Sequence, residues 1–138
     1  MKKNYFCAMI KLDTKKELIK AYKLDFGYVE IYPKFAVGVI NDGIDLSIEN
    51  LSDLIAIADI HFRNEDFAYI SLRKHAYAIN PALYSYIKEI PNLKMIAVVS
   101  DKELYKHNFK IEKYFYGKEM KLFKDINSAV KWALQKLD

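Results

Sequence analysis

Short apolar runs alternate with amphipathic stretches along most of this chain, and that alternation restricts its fold more than any other feature. Strand-like runs lie at residues 35–40, 67–72, 95–99 and 120–123, and after each of them apolar residues recur at helical spacing. Parallel neighbouring strands need long crossover connections of this kind. The order therefore predicts an α/β fold: a mixed, mostly parallel sheet of four to five strands, with an opening β-hairpin and about four helices.

Two of the predicted helices have clear start signals. Ser47 precedes an apolar helical face over residues 51–62 and is predicted to cap that helix. The Asn-Pro pair at 80–81 combines a preferred cap with a preferred first helical residue, and Pro91 stops the helix that follows.

The last two helices are marked in the same way. Ser100-x-x-Glu103 has the pattern of a capping box, and Asp125 precedes an amphipathic helix over residues 126–137. The predicted apolar face of the helix after Ser100 consists of Leu104, Ile111 and Phe115.

The hairpin and the chain length complete the outline. Two extended segments, 24–32 and 35–40, flank a Pro-Lys turn and are predicted to pair as the hairpin. The length of 138 residues suits one domain over residues 1–138, in which residues 1–20 form an ambiguous N-terminal extension.

Cysteine content and apolar run lengths bear on the compartment. The single cysteine, Cys7, cannot form an internal disulfide, as is typical of a reducing cytoplasm. The apolar stretch at residues 5–10 is too short for a signal peptide, and no window approaches the length of a membrane span. We expect a cytoplasmic protein.

Charge is distributed unevenly along the chain. Net charge is +4 overall, and it is +5 over residues 1–23, −7 over 24–66 and +6 over 67–138. Basic ends can bind nucleic acid, but only Arg63 and Arg73 among 22 basic residues are arginine, the residue that dominates base recognition. Lysine-mediated nucleic-acid binding is therefore the weakest functional alternative.

Two sets of motifs carry a family resemblance. The first is Y-I-S-x-R-x-x-x-Y-A-I-N-P at residues 69–81, and the second is Y-F-x-G at 114–117 with F-x-D at 123–125 and A-x-x-W at 129–132. With the opening hairpin and the closing amphipathic helix, they make residues 22–137 similar to the STAS family. The resemblance is to a stand-alone bacterial group that is like the anti-sigma-factor antagonists and mostly uncharacterised.

The resemblance implies a non-enzymatic regulatory or binding module, acting through an unknown protein partner or a small anionic ligand. In anti-sigma-factor antagonists a phosphorylated Ser or Thr lies where the third strand meets its helix, and here that place holds Asn80 and Pro81. We therefore expect folding and partner binding to be independent of phosphorylation at this junction.

Ligands of open α/β sheets bind beyond the carboxyl ends of the strands, here in the loops after residues 40, 72 and 99. The middle loop is basic and precedes a helix start, so it could bind an anion through Arg73 and free backbone amides. Otherwise it is a solvated loop in which Arg73 pairs with a carboxylate of its own chain. The candidate ligand-binding residues are Arg73, His75, Tyr77, Asn80 and Ser100.

No pattern in the sequence indicates catalysis, a metal or a cofactor. The three histidines, His61, His75 and His107, lack metal-ligand spacing, and no serine lies in a nucleophile elbow. The acidic residues between Asp42 and Asp53 lack the spacing of a calcium loop, so we interpret them as solvated surface.

The aromatic content is high, with 11 Tyr, 8 Phe and 1 Trp. Tyrosine is favoured at interfaces, so these residues suggest a partner surface or a homodimer; the alternative is that they are half-buried in the core. A third possibility is a small-molecule or lipid carrier of CRAL-TRIO-like architecture, in which apolar residues line a cavity. The tyrosines that could form the surface are Tyr84, Tyr86, Tyr105, Tyr114 and Tyr116.

Overall fold

A computed structural model of the chain describes residues 17–75, 77–103 and 105–138. The predictions that concern Cys7, the stretch at 5–10 and Leu104 lie outside the described residues, as does most of the predicted N-terminal extension.

The described residues form eight strands in chain order. They are β1 (Lys20–Leu24), β2 (Gly27–Ile31), β3 (Phe35–Ile40), β4 (Asp45–Leu46), β5 (Phe67–Leu72), β6 (Ala78–Ile79), β7 (Leu93–Val99) and β8 (Glu119–Phe123).

Six of these strands make one sheet, in the order β1-β2-β3-β5-β7-β8. The β1/β2 and β2/β3 pairs are antiparallel, whereas β3/β5, β5/β7 and β7/β8 are parallel. The short strands β4 and β6 pair separately and in parallel. The predicted mixed, mostly parallel α/β fold with an opening hairpin is confirmed, but the sheet has six strands rather than four to five.

The additional strand comes from the N-terminal part of the hairpin. One extended strand was predicted over residues 24–32. The chain instead makes a turn at residues 25–26, and β1 before this turn pairs with β2 after it. β1 is half exposed and carries two lysines, Lys20 and Lys23, so it lacks the apolar run that marks the buried strands.

Four α-helices connect or follow these strands. They are α1 (Ile48–Phe62), α2 (Tyr84–Ile87), α3 (Tyr105–Tyr116) and α4 (Ile126–Leu137), and a 3-10 turn, Pro81–Leu83, leads into α2.

Two predicted caps are confirmed by their hydrogen bonds. The Ser47 hydroxyl accepts from the Asn50 amide N–H (3.1 Å), and the Asn50 side chain accepts from the Ser47 N–H (3.0 Å), so the start of α1 is fixed in both directions. The Asp125 carboxylate accepts from the Ser128 N–H (2.8 Å) at the start of α4. Asn80 caps only the 3-10 turn, through the Ala82 N–H (3.0 Å), and α2 ends at Ile87.

The predicted capping box at Ser100-x-x-Glu103 is wrong. The Ser100 N–H donates to the Phe123 carbonyl (2.9 Å), so it is not available to the Glu103 carboxylate as a capping box requires. The Ser100 hydroxyl instead accepts from the Lys102 N–H (3.2 Å), and Glu103 pairs with Lys106 (2.8 Å). α3 begins only at Tyr105.

Successive side chains of each strand face opposite sides of the sheet, and both sides are covered. On one side Val37 and Ile70 pack with Ala129 and other residues of α4. On the other side lie α1, α2 and α3, which we call the three-helix layer. Because α1 connects β3 to β5, α2 connects β5 to β7 and α3 connects β7 to β8, the three helices follow the order of the strands across this side.

Candidate functional site: an apolar cavity beneath α1

A cavity of about 90 Å³ lies between α1 and the sheet, and we call it the α1 cavity. Its walls are almost entirely apolar. Leu54, Ile55 and Ala58 of α1 line it on one side, and strands β2, β3, β5 and β7 line it on the other. The polar residues among its lining are Tyr69, Ser71, Arg73, Tyr77 and Tyr84.

The cavity lies under α1 because that helix is anchored at its two ends. The Ser47–Asn50 capping box fixes the first turn. At the last turn Phe62, only 1% exposed, stacks on Phe67 of β5 with ring centroids 4.4 Å apart. Between these anchors the half-buried Leu54, Ile55 and Ala58 line the cavity, together with the buried Ile57.

The two-residue period of β5 determines the direction of three of these polar side chains. Tyr69, Ser71 and Arg73 are separated by two residues and therefore point to the same side of the sheet. Arg73 continues the strand rather than starting a loop, since its N–H donates to the Val99 carbonyl (2.9 Å). The basic loop predicted at this position is, at Arg73, an extension of the sheet.

The Tyr69 hydroxyl has no hydrogen-bond partner among the described residues, and it lies over Gly38 of the neighbouring strand. A Cβ at position 38 would collide with this hydroxyl, so the ring takes its place because Gly38 has no side chain. Burial raises the pKa of the Tyr69 phenol above its ordinary value. Tyr69 is therefore a neutral group that can still form a hydrogen bond.

Most of the donors that an anion site would need from Arg73 are already used within the chain. Its side chain is 5% exposed and forms a two-fold hydrogen bond with Glu112 of α3, at 3.1 Å and 2.8 Å. Its Nε also donates to the Ser71 hydroxyl (2.7 Å), so three of its five N–H groups are bound within the chain. The Tyr84 hydroxyl completes the group by donating to Glu112 (2.5 Å).

The charges of this cluster cancel. Burial acts to lower the pKa of the Arg73 guanidinium, but Tyr77 and Glu112 more than offset it, and the pKa is raised. Burial raises the pKa of the Tyr77 and Tyr84 phenols, and the charge of Glu112 raises that of Tyr84 further. The polar end of the cavity is thus a neutral set of hydrogen-bonding groups around one compensated ion pair.

The structure brings together only part of the predicted ligand site. Arg73 and Tyr77 both line the cavity, with the guanidinium 5.1 Å from the centre of the Tyr77 ring. His75 meets the Tyr105 hydroxyl through its backbone carbonyl (3.1 Å), and Asn80 caps the 3-10 turn. Ser100 lies in a separate depression beside Lys102 and Glu103.

The strand order explains this separation. Ligand crevices at the carboxyl ends of strands form where neighbouring connections leave the sheet in opposite directions. In the parallel part of this sheet each connection goes to the next strand on the same side, so the predicted crevice is not formed there. The space lies instead between the sheet and the helices that cover it.

Sequence reasoning missed Tyr69, Ser71, Glu112 and Tyr84. The alternation of Tyr69, Ser71 and Arg73 was a usable signal for the first two. Glu112 was missed because the wrong face of α3 was chosen: Ile111 and Phe115 are exposed, whereas the buried residues of this helix are Tyr105, Glu112 and Tyr116.

Replacing the Tyr69 hydroxyl is expected to change the response of stability to alkaline pH. Because the folded-state pKa is raised above 10.0, the contribution of Tyr69 to stability is intact below about pH 10 and is lost as pH rises through the folded-state pKa. Wild type should lose up to about 1.4 kcal/mol per pH unit more than Tyr69→Phe above pH 10, with little difference near pH 8. Urea unfolding at a series of pH values measures this.

Tyr86→Phe is the matched control, because the Tyr86 ring is 53% exposed. It should keep the wild-type pH dependence. An unchanged slope in Tyr69→Phe would mean that the Tyr69 phenol ionises equally well in the folded protein, and so that water reaches it freely.

The chain matches no family model, no curated protein and no solved structure. Among the described helices, none combines the length and the apolar character that crossing a bilayer demands. Within residues 17–75, 77–103 and 105–138, no histidine, cysteine and carboxylate side chains gather in a group that could hold a metal ion. The STAS resemblance therefore rests on the sequence motifs alone.

Proposed function

We propose that the chain is a stand-alone STAS-like, non-enzymatic binding module, and that it holds a small, neutral, mostly apolar ligand in the α1 cavity. The observation that carries this proposal is an apolar cavity whose lining includes the Tyr69 phenol, a hydroxyl without a hydrogen-bond partner among the described residues. Apolar walls with a few placed polar groups are the usual composition of a small-molecule site.

Charge compensation favours a neutral ligand over the anion suggested by sequence. An anion that entered the cavity would lose its hydration and would meet Arg73 already paired with Glu112. A hydroxyl or carbonyl group could instead accept a hydrogen bond from Tyr69 while its apolar part contacts Leu54 and Ala58.

The size of the cavity favours a small molecule over a lipid. An apolar cavity of about 150 Å³ binds benzene, and the α1 cavity, at about 90 Å³, is smaller. It therefore takes a molecule no larger than benzene unless α1 moves. This supports a small-ligand module rather than a lipid carrier of CRAL-TRIO-like architecture.

The remaining alternatives receive less support. Of the two arginines, Arg73 is buried against Glu112, and Arg63 is exposed but pairs with Asp59 (2.8 Å), so each guanidinium already has a carboxylate partner. Protein contact would use the outer surface of the three-helix layer rather than the α1 cavity. Asn80 is occupied as a cap, and independence from phosphorylation at this junction stays a prediction.

Two probes of matched length test the neutral-ligand proposal. 1-Pentanol should raise the melting temperature and shift methyl NMR signals of Leu54 and Ile55, whereas pentanoate at the same concentration should do neither. Ala58→Leu, which fills the cavity, should weaken pentanol binding at least tenfold.

Ala56→Leu is the matched control, because Ala56 lies on the exposed side of the same helix and should leave pentanol binding unchanged. Equal effects of the two leucine variants would contradict binding in the cavity. Stronger binding of pentanoate than of pentanol would restore Arg73 as an anion site and overturn the neutral-ligand proposal.

A further inference from the structure

Exposed apolar side chains are concentrated on the three-helix layer. Seven large apolar side chains of the described residues are exposed, and all except Ile19 belong to this layer. A folded chain rarely leaves such side chains together on one side unless that side binds something. The six are Ile48 and Ile60 of α1, Tyr86 of α2, and Ile111, Tyr114 and Phe115 of α3.

The five predicted interface tyrosines divide accordingly. Tyr84, Tyr105 and Tyr116 are buried, and only Tyr86 and Tyr114 remain at the surface, 53% and 81% exposed. The predicted tyrosine surface is therefore wrong for the three buried residues. The exposed patch includes isoleucines and Phe115 that sequence analysis did not assign to it.

The two outer helices of the layer carry opposite charges on their exposed sides. On α1 the exposed charged residues are Glu49, Asp53 and Asp59, and Asp59 pairs with Arg63, the residue that follows the helix. On α3 they are lysines, at positions 106, 110 and 113. The layer therefore presents an acidic helix and a basic helix, with the short helix α2 between them.

We propose that the three-helix layer is the interface of a homodimer, in which α1 of each copy lies against α3 of the other. A two-fold axis that runs between the two copies of α2 brings the first helix of one copy onto the third helix of the second, and the same contact then forms twice. Tyr86 lies near the axis, and each acidic α1 meets a basic α3.

A second copy suits this surface better than a membrane does. Anionic lipid would attract the lysines of α3 but would repel the carboxylates of α1, which lie on the same layer. A second copy satisfies both charges, and it covers Ile60 and Tyr114 as well as Tyr86. The dimer uses the outer side of the helices, so it is independent of ligand binding in the α1 cavity.

Charge reversals on the two helices test the arrangement. Sedimentation of the full chain should show a dimer whose dissociation constant rises with salt. Asp53→Lys and Lys110→Glu should each weaken dimerisation at least tenfold, because each places like charges across both contacts. An equimolar mixture of the two variants should form a heterodimer, since both contacts are then between opposite charges.

Lys131→Glu on α4 is the matched control, because Lys131 is exposed on the opposite side of the sheet, and it should dimerise as wild type. A wild-type protein that stays monomeric at about 1 mM overturns the proposal. Failure of the mixed variants to associate also overturns it, as does a monomer that cosediments with phosphatidylserine vesicles. Melting temperatures of the variants establish that each one is folded.

Discussion

Glu112→Gln is expected to lower the free energy of unfolding by about 3–5 kcal/mol, the usual result of removing one partner from a buried ion pair. The charge of Arg73 would remain, because its pKa is raised and its side chain is 5% exposed. The neutral amide can accept hydrogen bonds from Arg73 but cannot cancel its charge. Urea unfolding at 25 °C measures the loss.

Two further variants test whether the loss of stability comes from the uncompensated charge of Arg73 or from any substitution in or near α3. Glu103→Gln removes an exposed carboxylate that also pairs with a basic side chain, and it should change stability by no more than about 0.5 kcal/mol. The double variant Arg73→Met with Glu112→Leu should be more stable than Glu112→Gln, because no buried charge remains. A double variant less stable than Glu112→Gln would show that shape or hydrogen bonding, rather than charge, governs this cluster.

Phe62→Ala is expected to destabilise the protein by a similar amount, about 3–5 kcal/mol. The Phe62 side chain is 1% exposed and stacks on Phe67, so its removal leaves a void beside β5. It also removes the anchor that holds the end of α1 over the α1 cavity. The affinity for 1-pentanol should therefore fall under conditions in which the variant is still folded.

Phe115→Ala is the control for this second substitution, because Phe115 is an α3 phenylalanine that is 44% exposed. In the monomer it should cost less than about 1 kcal/mol and leave pentanol binding unchanged. If Phe62→Ala lowered stability but left pentanol affinity intact, the end of α1 would not be needed to shape the cavity.

The alternation of strands and helices was predictable because each of these elements is marked by residues within its own short stretch of sequence. β3, β5 and β7 are runs of apolar residues, and the caps Ser47 and Asp125 lie directly before their helices. β1 was not predicted, because an exposed edge strand needs few apolar residues. Local patterns therefore identify buried elements well and exposed ones poorly.

The functional cluster was not predictable in the same way. A glutamate on a helix surface is normally solvated, so pattern analysis turned Glu112 outward and Ile111 and Phe115 inward. The opposite arrangement is stable because Arg73, 39 residues earlier in the chain, lies beneath the helix. The α1 cavity depends on how the two ends of a helix are anchored, and no local pattern encodes a space between packed elements.

The six strands of the main sheet lie side by side in the same order as they occur along the chain, and this bears on synthesis. During translation each new strand joins the current edge, and no later strand must insert between two earlier ones. Between the end of β7 and the start of β8 lie about 20 residues, which a ribosome adds in roughly 1–4 s. For that interval the newest edge is β7, a strand of buried apolar residues without its final neighbour. A nascent chain that pauses there exposes the edge on which aggregation would begin.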